Sequence, residues 1–575
     1  MRTRVLLVVA LAAILAALAA GCGGDGSVSD ESAPPSETAS GETGAGETQA
    51  AGGDGGEIVQ GGILRWGTLN NIDTLNPFNA YSANAYVAFI MMYPVLVQYK
   101  EDQTFEGDWA ESWETSPDGL QLTFKVKPGQ WSDGTPLTAE DGAWTCNTIV
   151  AYKDGPTSFL APFLSNVKEC TAPDPQTLVI TYEQAVGNAL AQLQQFFVLP
   201  KHVWEQYTGN DGKDLKTYLP ANDLPIVAAG PFTITQFEKK GTTIFEKNPS
   251  YYGDDKPYVD AIGLQYFTNA DSMVEAFKAG DLDSIEDVPA GSIASLEADE
   301  NVVVSAVPGA ENTNFIFNSN PKKPQRKELL DPEVRKAFEY AINRNEIAEV
   351  VFANYAKPTV SLIAPDAGEW MNPNLEALPF DPAEGNRILD ELGYTMGSDG
   401  VRTTPDGGRM EYEVITPTDA NFNINREFEI IQAGLQQIGV KVTQNALDGT
   451  TAFEEIGAPD WKYLDFDLAM WDWIGYWDPD FMLSVVTCDQ YGGWSDTGYC
   501  NPAYDELYKQ QGVTVDPEAR KEIVWEMQQI LADDRPYIQL VNMEVLSAWS
   551  KDWAGFLPTL GGYSKKPWTQ PHQVG

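Results

Sequence analysis

Residues 109–141 read WAESWETSPDGLQLTFKVKPGQWSDGTPLTAED. Leu120, Leu122, Phe124 and Val126 alternate with Gln121, Thr123, Lys125 and Lys127. A period of two predicts a strand with one buried face, because successive side chains of an extended chain point to opposite sides. Ser116-Pro117-Asp118-Gly119 turns the chain into this strand and Lys127-Pro128-Gly129 turns it out; Asp133-Gly134 marks a second tight turn. Thr138 with Asp141 three residues on predicts the capped start of a helix, each side chain satisfying a free backbone N–H of the other. None of these residues carries chemistry; the block is scaffold.

Upstream, Arg2 and Arg4 precede an apolar run over residues 5–20, followed by Gly21-Cys22. A basic start, an apolar middle and small residues at a cut site make a secretory signal over residues 1–21. The run is 16 residues long, short for a bilayer span. Ala19-Ala20-Gly21-Cys22 is similar to a bacterial lipobox, with Ala19 where Leu is usual and Leu18 one place earlier. That likeness implies cleavage before Cys22, lipidation of Cys22 and a lipid anchor on the extracytoplasmic side of the cell membrane. A plain cleaved signal or an uncleaved anchor is the alternative. Residues 23–57 are mostly Gly, Ser, Thr, Ala, Glu and Asp without Lys or Arg, a composition expected to form a disordered tether.

The remaining 518 residues exceed one core and suggest two or three lobes. A net charge of −46 argues against nucleic acid as a partner and is read as a solvated acidic surface. Apart from Cys22 there are four cysteines, Cys146, Cys170, Cys488 and Cys500. An even number in an exported chain favours disulfides; of the three connectivities, local pairing is the simplest, and spacing leaves it open. Only two histidines, His202 and His572, and no CxxC leave little for a metal site, and no cofactor is expected. His202 reads as a structural or helix-start histidine rather than a ligand.

The block 109–141 closely resembles the signature region of the family 5 extracellular solute-binding proteins, the peptide, nickel and oligosaccharide receptors of ABC importers. Further matches are Gly61–Gly67 with Asp73-Thr74-Leu75-Asn76-Pro77, the piece Leu199–Trp204, and a hairpin after Gly230-Pro231 followed by Asn248-Pro249-Ser250-Tyr251-Tyr252. They spread from about 61 to 550, nearly all of the mature chain. The resemblance implies an α/β, periplasmic-binding-protein-like Venus flytrap of the large three-subdomain type, two lobes joined by a hinge. Residues 58–100, 221–315 and 537–575 would form the main part of the first lobe, 101–220 its extra subdomain and 316–536 the second lobe. The chain is expected to cross between lobes near 312–320 and 537–548.

The strongest local candidate for a ligand wall is Trp471-Asp-Trp-Ile-Gly-Tyr-Trp-Asp-Pro-Asp-Phe481. Trp471, Trp473, Tyr476 and Trp477 could stack on sugars or pack on peptide side chains; the plainer alternative is core filling. By resemblance, dipeptide receptors carry Trp-x-x-Asp here, and counting from Trp473 puts Tyr476 at the acid's place. They also carry an Arg in the loop matching residues 416–422, which here has none. Without both anchors, the charged ends of a dipeptide are left unpaired, so a free dipeptide is not expected. Asp478 could replace the amine anchor, or be a turn aspartate before Pro479. Tyr81, Ser82 and Asn84, in the loop after Asn76-Pro77, complete the ligand-binding candidates. Asn312 and Asn314 lie near the hinge, and Tyr491, Trp494 and Asp496 lie between Cys488 and Cys500, read as a stapled surface loop.

The expected function is a non-catalytic, monomeric receptor that captures an oligopeptide-type solute and delivers it to ABC permease subunits. An oligosaccharide ligand is the alternative, with nickel or haem third. Another class, a secreted glycoside hydrolase using paired carboxylates, cannot be dismissed by composition, but no HExxH, GxSxG or P-loop pattern occurs.

Overall fold

The computed structural model describes residues 57–100, 104–418, 423–557 and 564–575. The apolar leader, Cys22 and all of the expected tether but Glu57 lie outside the described residues.

Residues 109–141 take the conformation their alternation predicts. Gln121–Val126 is a strand whose Leu122, Phe124 and Val126 are buried. It lies between Ala110–Thr115 and Thr177–Tyr182 in a four-stranded antiparallel sheet completed by Val167–Asp174. Leu120 is half-buried in the preceding turn, where Asp118 Oδ1 accepts from Ser116 Oγ at 2.6 Å and from Leu120 N at 3.1 Å. Thr138 N donates to Asp141 Oδ2 at 3.0 Å, closing the capping box that starts helix Ala139–Ala151. That helix packs on the sheet, and the Cys146–Cys170 disulfide ties it to Val167–Asp174. The second disulfide is Cys488–Cys500, so the pairing is local in both cases. Trp109 and Trp131 are fully buried; each such side chain contributes roughly 1.5–3 kcal/mol by leaving water.

The large sheet runs Phe232–Phe237, Thr242–Lys247, Ala261–Tyr266, Ile63–Thr68, Ser284–Glu286, Tyr537–Ser550, Val302–Phe317, Leu468–Ile474, Glu411–Pro417, Lys441–Leu447. The predicted hairpin turn at Lys240-Gly241 is present, with Lys240 at φ 61°. On the far side, the helices start where Asp-Pro pairs predict. Asp331, Asp381 and Asp516 each cap a helix with Pro at its first turn, Pro332–Tyr340, Pro382–Glu391 and Pro517–Asp534. A further helix is Ile424–Gln437.

Two strands, Val302–Phe317 and Tyr537–Ser550, belong to both halves of this sheet. Residues 302–308 pair antiparallel with 544–550, beside Ser284–Glu286. Residues 312–316 pair with 537–542, beside Leu468–Ile474. Between these stretches the register shifts, with 308–312 spanning only 542–544. The break falls slightly before the crossing expected at 312–320. At the bulge, a Cβ on Gly309 would lie 2.4 Å from the Met543 carbonyl oxygen, so only glycine allows this approach. Gly309→Ala is expected to lower the unfolding free energy by roughly 1–3 kcal/mol through overpacking, read as an earlier midpoint in urea; an unchanged midpoint would mean the two strands slide apart at no cost.

Candidate functional site

Two adjoining cavities, of about 130 and about 170 Å³, open where the crossing strands meet the segment before helix Ala83–Met92. Asn70, Ala83, Glu311, Asp472, Ile474 and Tyr476 line both, so they form one cleft.

One wall is the loop and first turn before that helix. Ser82 caps it, its Oγ accepting from Ala85 N at 3.2 Å and donating to Asp73 Oδ1 at 2.7 Å. Asp73 Oδ2 also accepts from Tyr81 N at 3.2 Å. Burial pushes the Asp73 carboxyl up, and Ser82 and the backbone amides pull it back. This network fixes Tyr81, whose ring stacks on Phe453 at 6.4 Å and whose hydroxyl lies 2.9 Å from Thr450 Oγ1 across the cleft. Asn84 is buried, donating to Asn70 O at 2.6 Å and Thr68 Oγ1 at 3.1 Å, and borders the cavity while bracing its rim.

The opposite wall is Leu468–Ile474 and the turn after it. Trp471 and Trp473, two residues apart, both face the first cavity. Trp471 lies against Phe453 at 5.9 Å. Trp473 is held more deeply: its Nε1 donates to Asp496 Oδ2 at 3.0 Å, and Tyr537 Oη donates to Asp496 Oδ1. Burial pushes the Asp496 carboxyl up to about 7, against the pull of Tyr537 and Trp473. Tyr476 receives a hydrogen bond from Gln195 Nε2 and is buried, which raises its phenol above the usual range.

Two expected residues fall elsewhere. Trp477 packs edge-on against Tyr99 at 5.2 Å and is not among the cavity-lining residues. Asp478 takes a bidentate ion pair from Arg520, at 2.6 and 2.7 Å, and accepts from Asp480 N at 2.9 Å. A carboxylate already neutralised by a guanidinium offers no net charge to a ligand amine, so the turn reading of Asp478 holds and its anchor reading does not. The 488–500 segment is likewise not a surface loop. Trp494 and Asp496 are buried, and Trp494 Nε1 donates to Phe159 O at 2.9 Å. Nor is His202 without an acid: the fold brings Asp133 to 2.8 Å from its Nε2.

The residues missed at the sequence level are acidic. Glu286 and Asp287 end the strand Ser284–Glu286, Glu311 sits in the bulge, and Asp472 lies between the two cleft tryptophans. Asp287, at φ 58°, accepts through Oδ2 from Thr68 Oγ1 and Asn70 Nδ2, at 3.0 and 3.2 Å. Burial, then the neighbouring Asp287, push the Glu286 carboxyl up to about 8; burial, then Asp287 and Glu427, do the same to Glu311. The only sequence signal was Asp472 in an aromatic strand; the other three are brought together by sheet pairing. No Lys or Arg is among the described lining residues. Of the loop 416–422, residues 419–422 lie outside the described residues.

The family model for bacterial extracellular solute-binding proteins, family 5, matches residues 104–493. The chain belongs to that family. It is a solute-binding receptor, not an enzyme, and the hydrolase alternative falls. A probable ABC transporter-binding protein of Deinococcus radiodurans is 25% identical over 534 residues, covering 86% of this chain and 89% of the relative. The glutathione-binding protein GsiB of Escherichia coli K12 is 24% identical over 499 residues, covering 85% and 90%. Among solved structures, Bacillus subtilis AppA with a nonapeptide superposes with TM-score 0.79 at 21% identity, covering 90% of this chain and 100% of that one. Helicobacter pylori DppA with the peptide STSA gives 0.77 at 22%, covering 90% and 99%. These likenesses establish the two-lobed binding-protein fold of the receptor.

Because Glu286 and Glu311 bind protons more readily folded than unfolded, the stability they contribute is complete below the ordinary value of 4.5 and is lost as pH rises through about 8. The thermal midpoint of the ligand-free protein should therefore climb as pH falls through about 8. Glu311→Gln should flatten that slope and gain on the order of 1 kcal/mol above it; a variant with the parent's pH profile would show that Glu311 is not a strained acid.

Proposed function

We propose that this solute-binding protein closes its two lobes on an oligopeptide-type ligand and hands it to the permease of an ABC importer. The observation that carries the reading is the cleft itself: two joined cavities walled by Tyr81, Trp471 and Trp473 and bordering the strand bulge. Its aromatic faces accept varied side chains. The relatives named for peptide transport and the neighbours solved with peptides support the same class. Trp471, Trp473, Tyr476, Tyr81 and Ser82 are the contacts we assign, with Asn84 bracing the rim.

We assign the first lobe to 58–100, 221–315 and 537–575, with 101–220 as its extra subdomain, and the second lobe to 316–536. The separate four-stranded sheet and the register break support this division. Contacts such as Tyr81–Thr450, Gln195–Tyr476 and Phe159–Trp494 then join the lobes and belong to the closed state, which a ligand touching both sides favours. Delivery from a fixed membrane address requires a tether, which the lipobox-like Ala19-Ala20-Gly21-Cys22 would supply to a monomeric receptor.

In calorimetric titration, tetra- to nonapeptides should bind, while dipeptides and cello-oligosaccharides should not; saccharide binding alone would move the ligand to the sugar class. Trp471→Ala should weaken peptide binding about tenfold or more, and Trp477→Ala should leave it unchanged. Cys22→Ala should shift the protein from the membrane fraction to the medium or periplasm; retention in the membrane would remove the lipid anchor from the proposal.

A further inference from the structure

The acidic floor of the cleft bears on which peptides enter it. Glu286, Asp287, Glu311 and Asp472 come from three separate strands and the turn after one of them. Glu286 and Glu311 each feel Asp287, and Glu311 also feels the buried Glu427 of the adjoining helix. Among the described residues, no basic side chain perturbs or pairs with Glu286 or Glu311. Elsewhere, several carboxylates out of contact with bulk water have cations: Asp478 has Arg520, Asp108 has Lys565 and Glu339 has Arg344. Like charges gathered in a poorly solvated space repel unless a cation joins them.

A second feature in the same cleft asks for a donor. Gln195 is 1% exposed and borders the first cavity together with Glu311 and Asp472. Its Nε2 is committed to Tyr476, while its Oε1 has no hydrogen-bond partner. A buried carbonyl oxygen without a donor is costly, and an ammonium, guanidinium or peptide N–H of a ligand would relieve it.

We infer that the preferred ligands are cationic oligopeptides, with at least one Lys- or Arg-type side chain lodged among Glu286, Asp287, Glu311 and Asp472 in addition to the amino terminus. The inference rests on the peptide reading of the same cleft and goes beyond it in naming the charge of the cargo. The aromatic wall then holds the rest of the peptide, and the acidic floor selects among peptides of similar size.

The test is a calorimetric titration of the full-length mature protein with Lys-Ala-Lys-Ala, tetra-alanine, Glu-Ala-Glu-Ala and spermidine. The expected result is at least about tenfold tighter binding of the lysine peptide than of tetra-alanine, and no binding of the acidic one. Glu311→Gln and Glu286→Gln should each weaken the lysine peptide by more than they weaken tetra-alanine and so remove most of that preference. Should a variant fail to fold, salt dependence of the parent protein serves instead: between roughly 0.05 and 0.5 M salt, affinity for the lysine peptide should fall and that for tetra-alanine should not. Equal affinity for lysine and alanine peptides overturns the inference and leaves the peptide reading standing. Spermidine binding as tightly as the lysine peptide upholds the acidic floor and overturns the peptide reading. Binding of neither lysine peptide nor spermidine overturns the inference.

Discussion

Val302–Phe317 and Tyr537–Ser550 are each long enough to serve two sheets, and their backbones must satisfy hydrogen bonds in both. Between the two paired stretches the ladder cannot stay in register, and the mismatch is absorbed at 308–312 opposite 542–544. A bulge bends and twists a strand where an unbroken ladder would resist. Gly309 permits the close passage of the Met543 carbonyl there. The cleft lies next to this bulge. Glu311 stands in the bulge itself, and Asp472 pairs across from Thr313 just beyond it. Charge at the hinge and charge in the cleft are the same charge.

The closed arrangement is held by polar contacts set among aromatic rings. Gln192 donates to Asp480 at 2.9 Å, Gln511 donates to the other oxygen of Asp480, and Arg520 bridges Gln511 and Asp478. Gln192, Asp480, Gln511, Arg520 and Asp478 are thus each partnered, and such a set specifies one docking geometry rather than a greasy range of them. Phe159, Phe481 and Trp494 pack edge-on beside Trp473. Asp478 belongs to this docking chain, which explains why an acid beside the cleft aromatics does not serve the ligand.

Local signals in the sequence were reliable wherever a short stretch determines its own conformation. Asp331, Asp381 and Asp516 before proline start helices because a carboxylate and a fixed φ satisfy the first turn without outside help. The alternation at 120–126 marked a strand because burial on one face has a period of two. Among the aromatics of 471–481, the same period separates Trp471 and Trp473, which face the cavity. Past Gly475 the chain leaves the strand, the period no longer applies, and Trp477 turns to Tyr99 instead.

By itself the sequence determined the family, the local elements, the cysteine count and the aromatic wall, since each is written in contiguous residues or in their spacing. Which cysteines bond, where the paired strands break register and which acids border the cleft were decided only by tertiary structure. Glu286 and Glu311 are 25 positions apart and Asp472 lies far beyond both. Nothing local distinguishes them from the many solvated carboxylates of so acidic a chain. They come together because strand pairing brings them to one cleft, half-buried, and distance through space, not along the chain, sets the energy of like charges.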